Sequence, residues 1–261
     1  MGRWIITIVF LVICAFFTRM IPYTSFFRNF NTMIHEFGHA ITTLVLSGRV
    51  LNIELYADHS GVTRSAVAES WKLIPIGLSG YLIASLFAWF LFAMDYKNKQ
   101  KLGLVVMTTI AAISLVFFVR NEFGIWWLIG FIVLNVIMIM FARGNFERIY
   151  YLIIAFLTLE ESVFSAFSLV IYAYNDPAHA GDAALLREAT GLPAMLWALV
   201  FTVFALWCAM KGLSLFAKKR SRPNRSPGGY AHRTYSEYSG NPEYSGNSEY
   251  PEYSEDRRGR F

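Results

Sequence analysis

Apolar residues in this chain come in long blocks separated by short charged segments, unlike the brief periodic runs of a soluble domain. A helix needs about 20 such residues to cross the hydrocarbon core of a bilayer. Five blocks reach or approach that length: 73–94, 102–119, 123–142, 149–174 and 192–210. Lys97, Lys99 and Lys101 separate the first two. An opening apolar run, 4–18, is shorter, and Arg3 before it gives it the look of a secretory leader. The following Thr18-Arg19-Met20-Ile21-Pro22 has no small-residue cleavage site, so the run is read as a retained membrane helix. Residues 25–46 are helical in pattern but carry polar groups that a lipid-facing helix would not tolerate, and Gly48 supplies a stop. Alternation over 50–56, a turn at Asp58-His59-Ser60-Gly61 and a return through Val62-Thr63-Arg64 predict a small β-hairpin.

Composition agrees with this division. Hydrophobic residues make up 56% and charged residues only 16%, against about 25% charged in an average soluble domain. That excludes an ordinary soluble enzyme, a disordered chain and a disulfide-rich secreted module. Cys14 and Cys208 both fall in apolar blocks and read as small core residues. The net charge of +5 sits beside the blocks or in the tail, where it sets membrane orientation; nucleic acid is not expected as a partner. After residue 216 the character changes to a basic cluster, Lys218 to Arg222, and then to Tyr/Ser/Glu repeats. Such sequence buries too little apolar surface to offset its chain entropy and is expected to be disordered. The fold class is therefore an all-α polytopic membrane protein with about six to seven membrane helices. A short β-hairpin lies between the second and third, a membrane-embedded domain spans 1–216, and a tail spans 217–261. Deleting 220–261 is expected to leave membrane insertion and metal binding intact, checked by membrane fractionation and metal analysis of the shortened protein.

Candidate chemistry gathers at His35-Glu36-Phe37-Gly38-His39-Ala40. Positions i and i+4 share a helix face, so His35 and His39 can converge on one ion, with Glu36 beside them to take a proton from water. This is the H-E-x-x-H pattern of zinc peptidases. Its setting adds weight, because ionisable groups inside a membrane are costly and mark functional sites. The structural alternative is a pair of buried histidines hydrogen-bonded to neighbouring helices.

The helix Asn31-Thr32-Met33-Ile34-His35-Glu36-Phe37-Gly38-His39-Ala40 resembles the signature of the site-2 protease family of intramembrane zinc metallopeptidases, in its small branch without a PDZ domain. Further likenesses follow in order: the stop at 43–50, Ser60-Gly61-Val62-Thr63-Arg64, Gly80-Tyr81, Gly181-Asp182-Ala183 and Thr190-Gly191-Leu192-Pro193. They cover about residues 1–215. The resemblance implies a multi-pass protein of the cell membrane that binds Zn2+ and cleaves peptide bonds of membrane-protein or peptide substrates. Glu36 would be the general base, and His35 and His39 two of the metal ligands. The family takes a third ligand from an aspartate of a later span, often in a Leu-Asp-Gly pattern that is absent here.

Three candidates for that ligand follow. Asp182 matches the aspartate-alanine element and is the favoured one, its structural alternative being a helix N-cap. Glu160 and Glu161 lie mid-span, where carboxylates need a partner or a metal. Asp58 and His59 lie on the hairpin turn. Positive-inside counting puts the tail in the cytoplasm and the hairpin, with the Asp182 segment, on the opposite face. The family's cytoplasmic access favours the inverse, and both orientations stay open. A catalytically inactive scaffold or chaperone and a metal-binding transporter are the competing readings. An intact Glu36 opposes the first, and the clustering of ionisable groups on one helix opposes the second.

Overall fold

The computed structural model describes residues 24–220. The opening apolar run, Cys14 and the tail beyond 220 lie outside the described residues. Helix α1 spans Thr24–Val45 and is followed by strands β1 (Arg49–Leu55) and β2 (Gly61–Ala66). A 3-10 turn (Ser70–Lys72) leads into α2 (Leu73–Tyr96). Then come α3 (Gln100–Ile113), α4 (Glu122–Phe141), α5 (Asn145–Asn175), the short α6 (Gly181–Thr190) and α7 (Ala194–Arg220). Five helical stretches are long and apolar enough to cross a membrane, including α3 with its continuation to Phe118. They coincide with the five blocks read from the sequence. Their outer faces carry unburied apolar side chains, such as Val133, Ile137 and Met140 on α4 and Leu199 and Val203 on α7. Lipid is the solvent that accepts such surfaces.

Helix α2 is the central element and packs against α1, α5, α6 and α7. Around it the larger core joins Phe30, Met33 and Ile34 of α1 to Leu91 and Phe92 of α2, Leu104 and Met107 of α3, and Phe131 of α4. A second core, between α5, α6 and α7, is built on Ala166, Leu169, Leu186, Ala198 and Phe201. It is small-residue packing, which lets helices approach closely in a membrane. The end of the bundle away from the hairpin is fixed by polar groups: Arg148 meets the fully buried Asp95 at 3.1 Å, and the Tyr151 hydroxyl donates to the Leu91 carbonyl at 2.8 Å.

Three details depart from the sequence reading. Helix α1 stops as expected near Gly48, but the left-handed residue is Ser47 (φ 57°). Gly48 is required by space, since a Cβ there would lie 2.8 Å from both Thr43 and Val67 side-chain carbons. The last helix continues four residues past 216, through the first part of the basic cluster. Helix α3 ends in a π turn, Ser114–Phe118, closed by Val119 N–H to the Ser114 carbonyl at 2.8 Å. Helix ends leave carbonyls without partners. Here the Arg120 guanidinium donates to those of Val116, Phe117 and Val119 at 3.1, 2.9 and 2.8 Å.

That end anchors the hairpin. Val119 forms a parallel bridge with Ile53, and Arg120 N–H donates to the Ile53 carbonyl at 3.2 Å. The Asn121 side chain accepts from Leu55 N–H at 3.1 Å and donates to the Leu55 carbonyl at 2.5 Å. In an antiparallel pair the N–H and C=O of alternate residues face away from the partner strand. The outward groups of β1 at Ile53 and Leu55 are thus taken. Those of β2 at Gly61, Thr63 and Ser65 form the other edge.

Candidate metal centre

His35 and His39 lie one turn apart on α1, and α6 brings Asp182 to them. The three donor atoms form a nearly equilateral triangle. The two Nε2 atoms are 3.0 Å apart, and Asp182 Oδ2 is 3.1 Å from His35 Nε2 and 3.2 Å from His39 Nε2. Helix α6 begins at Gly181, with Ala180 as its N-cap, so Asp182 does not serve as the cap. Gly191 ends α6 in the left-handed conformation (φ 75°) and turns the chain into α7.

Proton bookkeeping makes the triangle informative. The Ile76 carbonyl can only accept, so the 2.8 Å contact from His39 Nδ1 puts the proton on Nδ1. In neutral His39 the Nε2 lone pair then faces the triangle. With His35 Nε2 and Asp182 Oδ2 it makes a set of three donor atoms 3.0–3.2 Å apart. Buried groups of this kind are satisfied either as an imidazolium–carboxylate ion pair or by a metal ion. A tetrahedral zinc with bonds of about 2.0–2.1 Å wants donors about 3.3 Å apart, close to the observed spacing. Two imidazoles and a carboxylate are also a donor set that zinc accepts, so the residues fit the ion.

Close packing shapes the surroundings. Gly80 of α2 lies against the triangle: a Cβ there would be 2.5 Å from His39 Nε2 and 2.6 Å from His35 Nε2. The next residue, Tyr81, sets its ring edge-on to His35 (centroids 4.6 Å apart) and stacks on Phe201 (4.7 Å). Glu36 is 5% exposed. The Thr63 hydroxyl donates to its Oε2 at 2.6 Å, and Gly61 lies so close that a Cβ would fall 2.8 Å from Oε1. The hairpin therefore rests on the motif helix. Two more bonds hold it there: Thr32 Oγ1 donates to the His59 carbonyl at 2.8 Å, and His59 Nδ1 meets Asn29 Oδ1 at 2.5 Å. Farther out on the hairpin, the Tyr56 hydroxyl, helped by Asn52 and Arg64, holds the Glu54 carboxyl below its ordinary range. A cavity of about 650 Å³ opens between these elements, lined by His35, Glu36, His39, Asp182 and the β2 backbone from Gly61 to Ser65.

The other ligand candidates take different places. Glu161 forms a buried ion pair with Arg28 at 2.8 Å. Its neighbour Glu160 is buried in α5, and neither belongs to the triangle. Asp58 accepts from the Ser60 backbone N–H (3.0 Å) and hydroxyl (2.6 Å), which shapes the turn. His59 lines the cavity but holds the hairpin. Sequence reasoning gave no role to Asn31, and Gly61 and Thr63 entered only through the hairpin and the family likeness at 60–64. That these two would land on Glu36 was not legible.

A family model described as Peptidase M50B-like matches residues 4–212. The chain therefore belongs to that family, the site-2 protease family of integral membrane peptidases. No curated protein and no solved structure gives a significant match.

Proposed function

We propose that this protein is an active zinc endopeptidase that hydrolyses peptide bonds of membrane-spanning substrates. The observation that carries the reading is the triangle of His35 Nε2, His39 Nε2 and Asp182 Oδ2, three ligand-type donor atoms 3.0–3.2 Å apart beside the Glu36 carboxyl. Zinc held there would supply a Lewis acid and make water acidic near neutral pH. Glu36 is the general base. Its Oε2 is engaged by Thr63, which leaves Oε1 to take the proton of the attacking water and deliver it to the leaving amine. The Ile76 carbonyl fixes the tautomer and ring plane of His39. Tyr81 and Gly80 hold His35 and the helix contact in place.

A peptide bond within a helix is shielded by its own hydrogen bonds, so the substrate must unwind first. Strand addition to the hairpin holds the unwound segment. One edge of the hairpin is that of β1. Val119 to Asn121 already occupy it, which makes β2 the receiving edge, with Gly61, Thr63 and Ser65 bordering the cavity. The test is incubation of the purified protein with a single-span substrate, comparing wild type with Glu36→Gln. Glu36→Gln is expected to keep its zinc and lose at least about 100-fold in cleavage rate, the order contributed by general base catalysis. Equal cleavage by both forms would sink the reading.

A further inference from the structure

Asn31 sits one helical turn before His35, on the same face of α1, and lines the same cavity. It is 3% exposed. Its Oδ1 is buried with no hydrogen-bond partner, and its side chain makes no hydrogen bond to any described residue. Arg28, one turn earlier, is committed to Glu161, and Thr32, next in sequence, is committed to the hairpin. Asn31 is thus a polar side chain on the cavity wall that the fold does not use. A leucine would fill nearly the same volume without an unpaired acceptor, so stability alone does not call for asparagine here.

We propose that Asn31 binds the main chain of an extended substrate beside the metal centre. An extended peptide shows the N–H and C=O of one residue on the same edge, and alternate residues show theirs on the other. A carboxamide carries the complementary acceptor and donor on one planar group. It therefore recognises backbone without regard to side chain, which suits a site whose substrates are helices unwound at varied sequences. Asn31 is a substrate-binding residue outside the donor triangle. It acts by holding the peptide in register with the triangle and with Glu36. The inference rests on the peptidase reading for the identity of its ligand.

Binding tests it separately from hydrolysis. Full-length Glu36→Gln protein in detergent is titrated with fluorescein-labelled casein, an unfolded chain, and followed by anisotropy. The same is done after adding Asn31→Leu or Asn31→Ala. Either replacement is expected to weaken the casein Kd about tenfold, the scale of one or two lost hydrogen bonds in a dry site. Zinc per chain should stay unchanged, and the Asn31→Leu melting temperature should not fall. In the Glu36-intact background Asn31→Leu is expected to raise KM with kcat within about threefold. An unchanged Kd in both variants overturns the proposal. So does weakened binding accompanied by zinc loss or a lowered melting temperature in both, which would make Asn31 a packing residue. Failure of Glu36→Gln to bind casein at all also overturns it. Wild type that binds casein but cleaves it no faster than Glu36→Gln would instead count against the peptidase reading, and the Kd comparison would still decide the role of Asn31.

Discussion

Asp182→Ala is expected to strip the purified protein of stoichiometric zinc and abolish cleavage, while Glu161→Gln and Glu160→Gln keep the metal. Two imidazoles on one helix turn hold an ion weakly against water, and the third donor completes the set. Loss of a group that merely supports a ligand costs 10–100-fold in metal affinity, and loss of the ligand itself should exceed that. Glu161 lies in the Arg28 pair, away from the triangle. Removing its charge leaves Arg28 buried and unpartnered by it, at a cost of about 3–5 kcal/mol in stability for a buried pair, without a change in zinc per folded chain. Metal analysis on the folded fraction, combined with thermal melting, separates the two outcomes. Zinc retained by Asp182→Ala would remove α6 from the site.

Gly80→Ala should damage the site nearly as much, through one methyl group. Glycine inside a helix is unfavourable by roughly 0.5–1 kcal/mol relative to alanine, so on local grounds the substitution stabilises α2. Tertiary packing reverses the sign. The new Cβ would fall 2.5–2.6 Å from the very nitrogens that face the triangle, and neither imidazole can yield without leaving it. The expected result is loss of bound zinc and of cleavage, with overpacking costing about 1–3 kcal/mol. Gly38→Ala serves as the comparison. Its Cβ would meet the Ser79 carbonyl at 3.1 Å and Ile83 at 3.3 Å, contacts that a small shift relieves, so most of the metal should remain. Equal zinc in wild type and Gly80→Ala would show that the two helices can part freely at this point.

The membrane helices were legible because hydropathy measures the property that places them in lipid. Their ends were less so: α5 starts at Asn145 and α7 runs to Arg220, since backbone hydrogen bonding continues past the last apolar residue. The π turn at 114–118 left no trace in the pattern. In the site, His35, Glu36 and His39 were readable from spacing along one helix. Asp182 was favoured through family resemblance, and the fold brings its Oδ2 within 3.2 Å of both histidine nitrogens. Glu160 and Glu161 looked equally suited by cost of burial, but cost of burial does not name the partner, and for Glu161 it is Arg28. Thr63, Gly61 and Asn31 depend on how a hairpin docks onto a helix. No local period reports that.

The order in which the donors leave the ribosome has a consequence for biosynthesis. His35 and His39 are made early, whereas Asp182 arrives after α1 to α5 have been synthesised, just ahead of the last span. Throughout insertion the nascent chain carries two of the three donors, beside Glu36 and an incomplete cavity wall. On the proposed function, hydrolytic competence is expected only at one late step, when α6 docks against α2 and closes the triangle. A chain stalled before residue 182 is then expected to be inert.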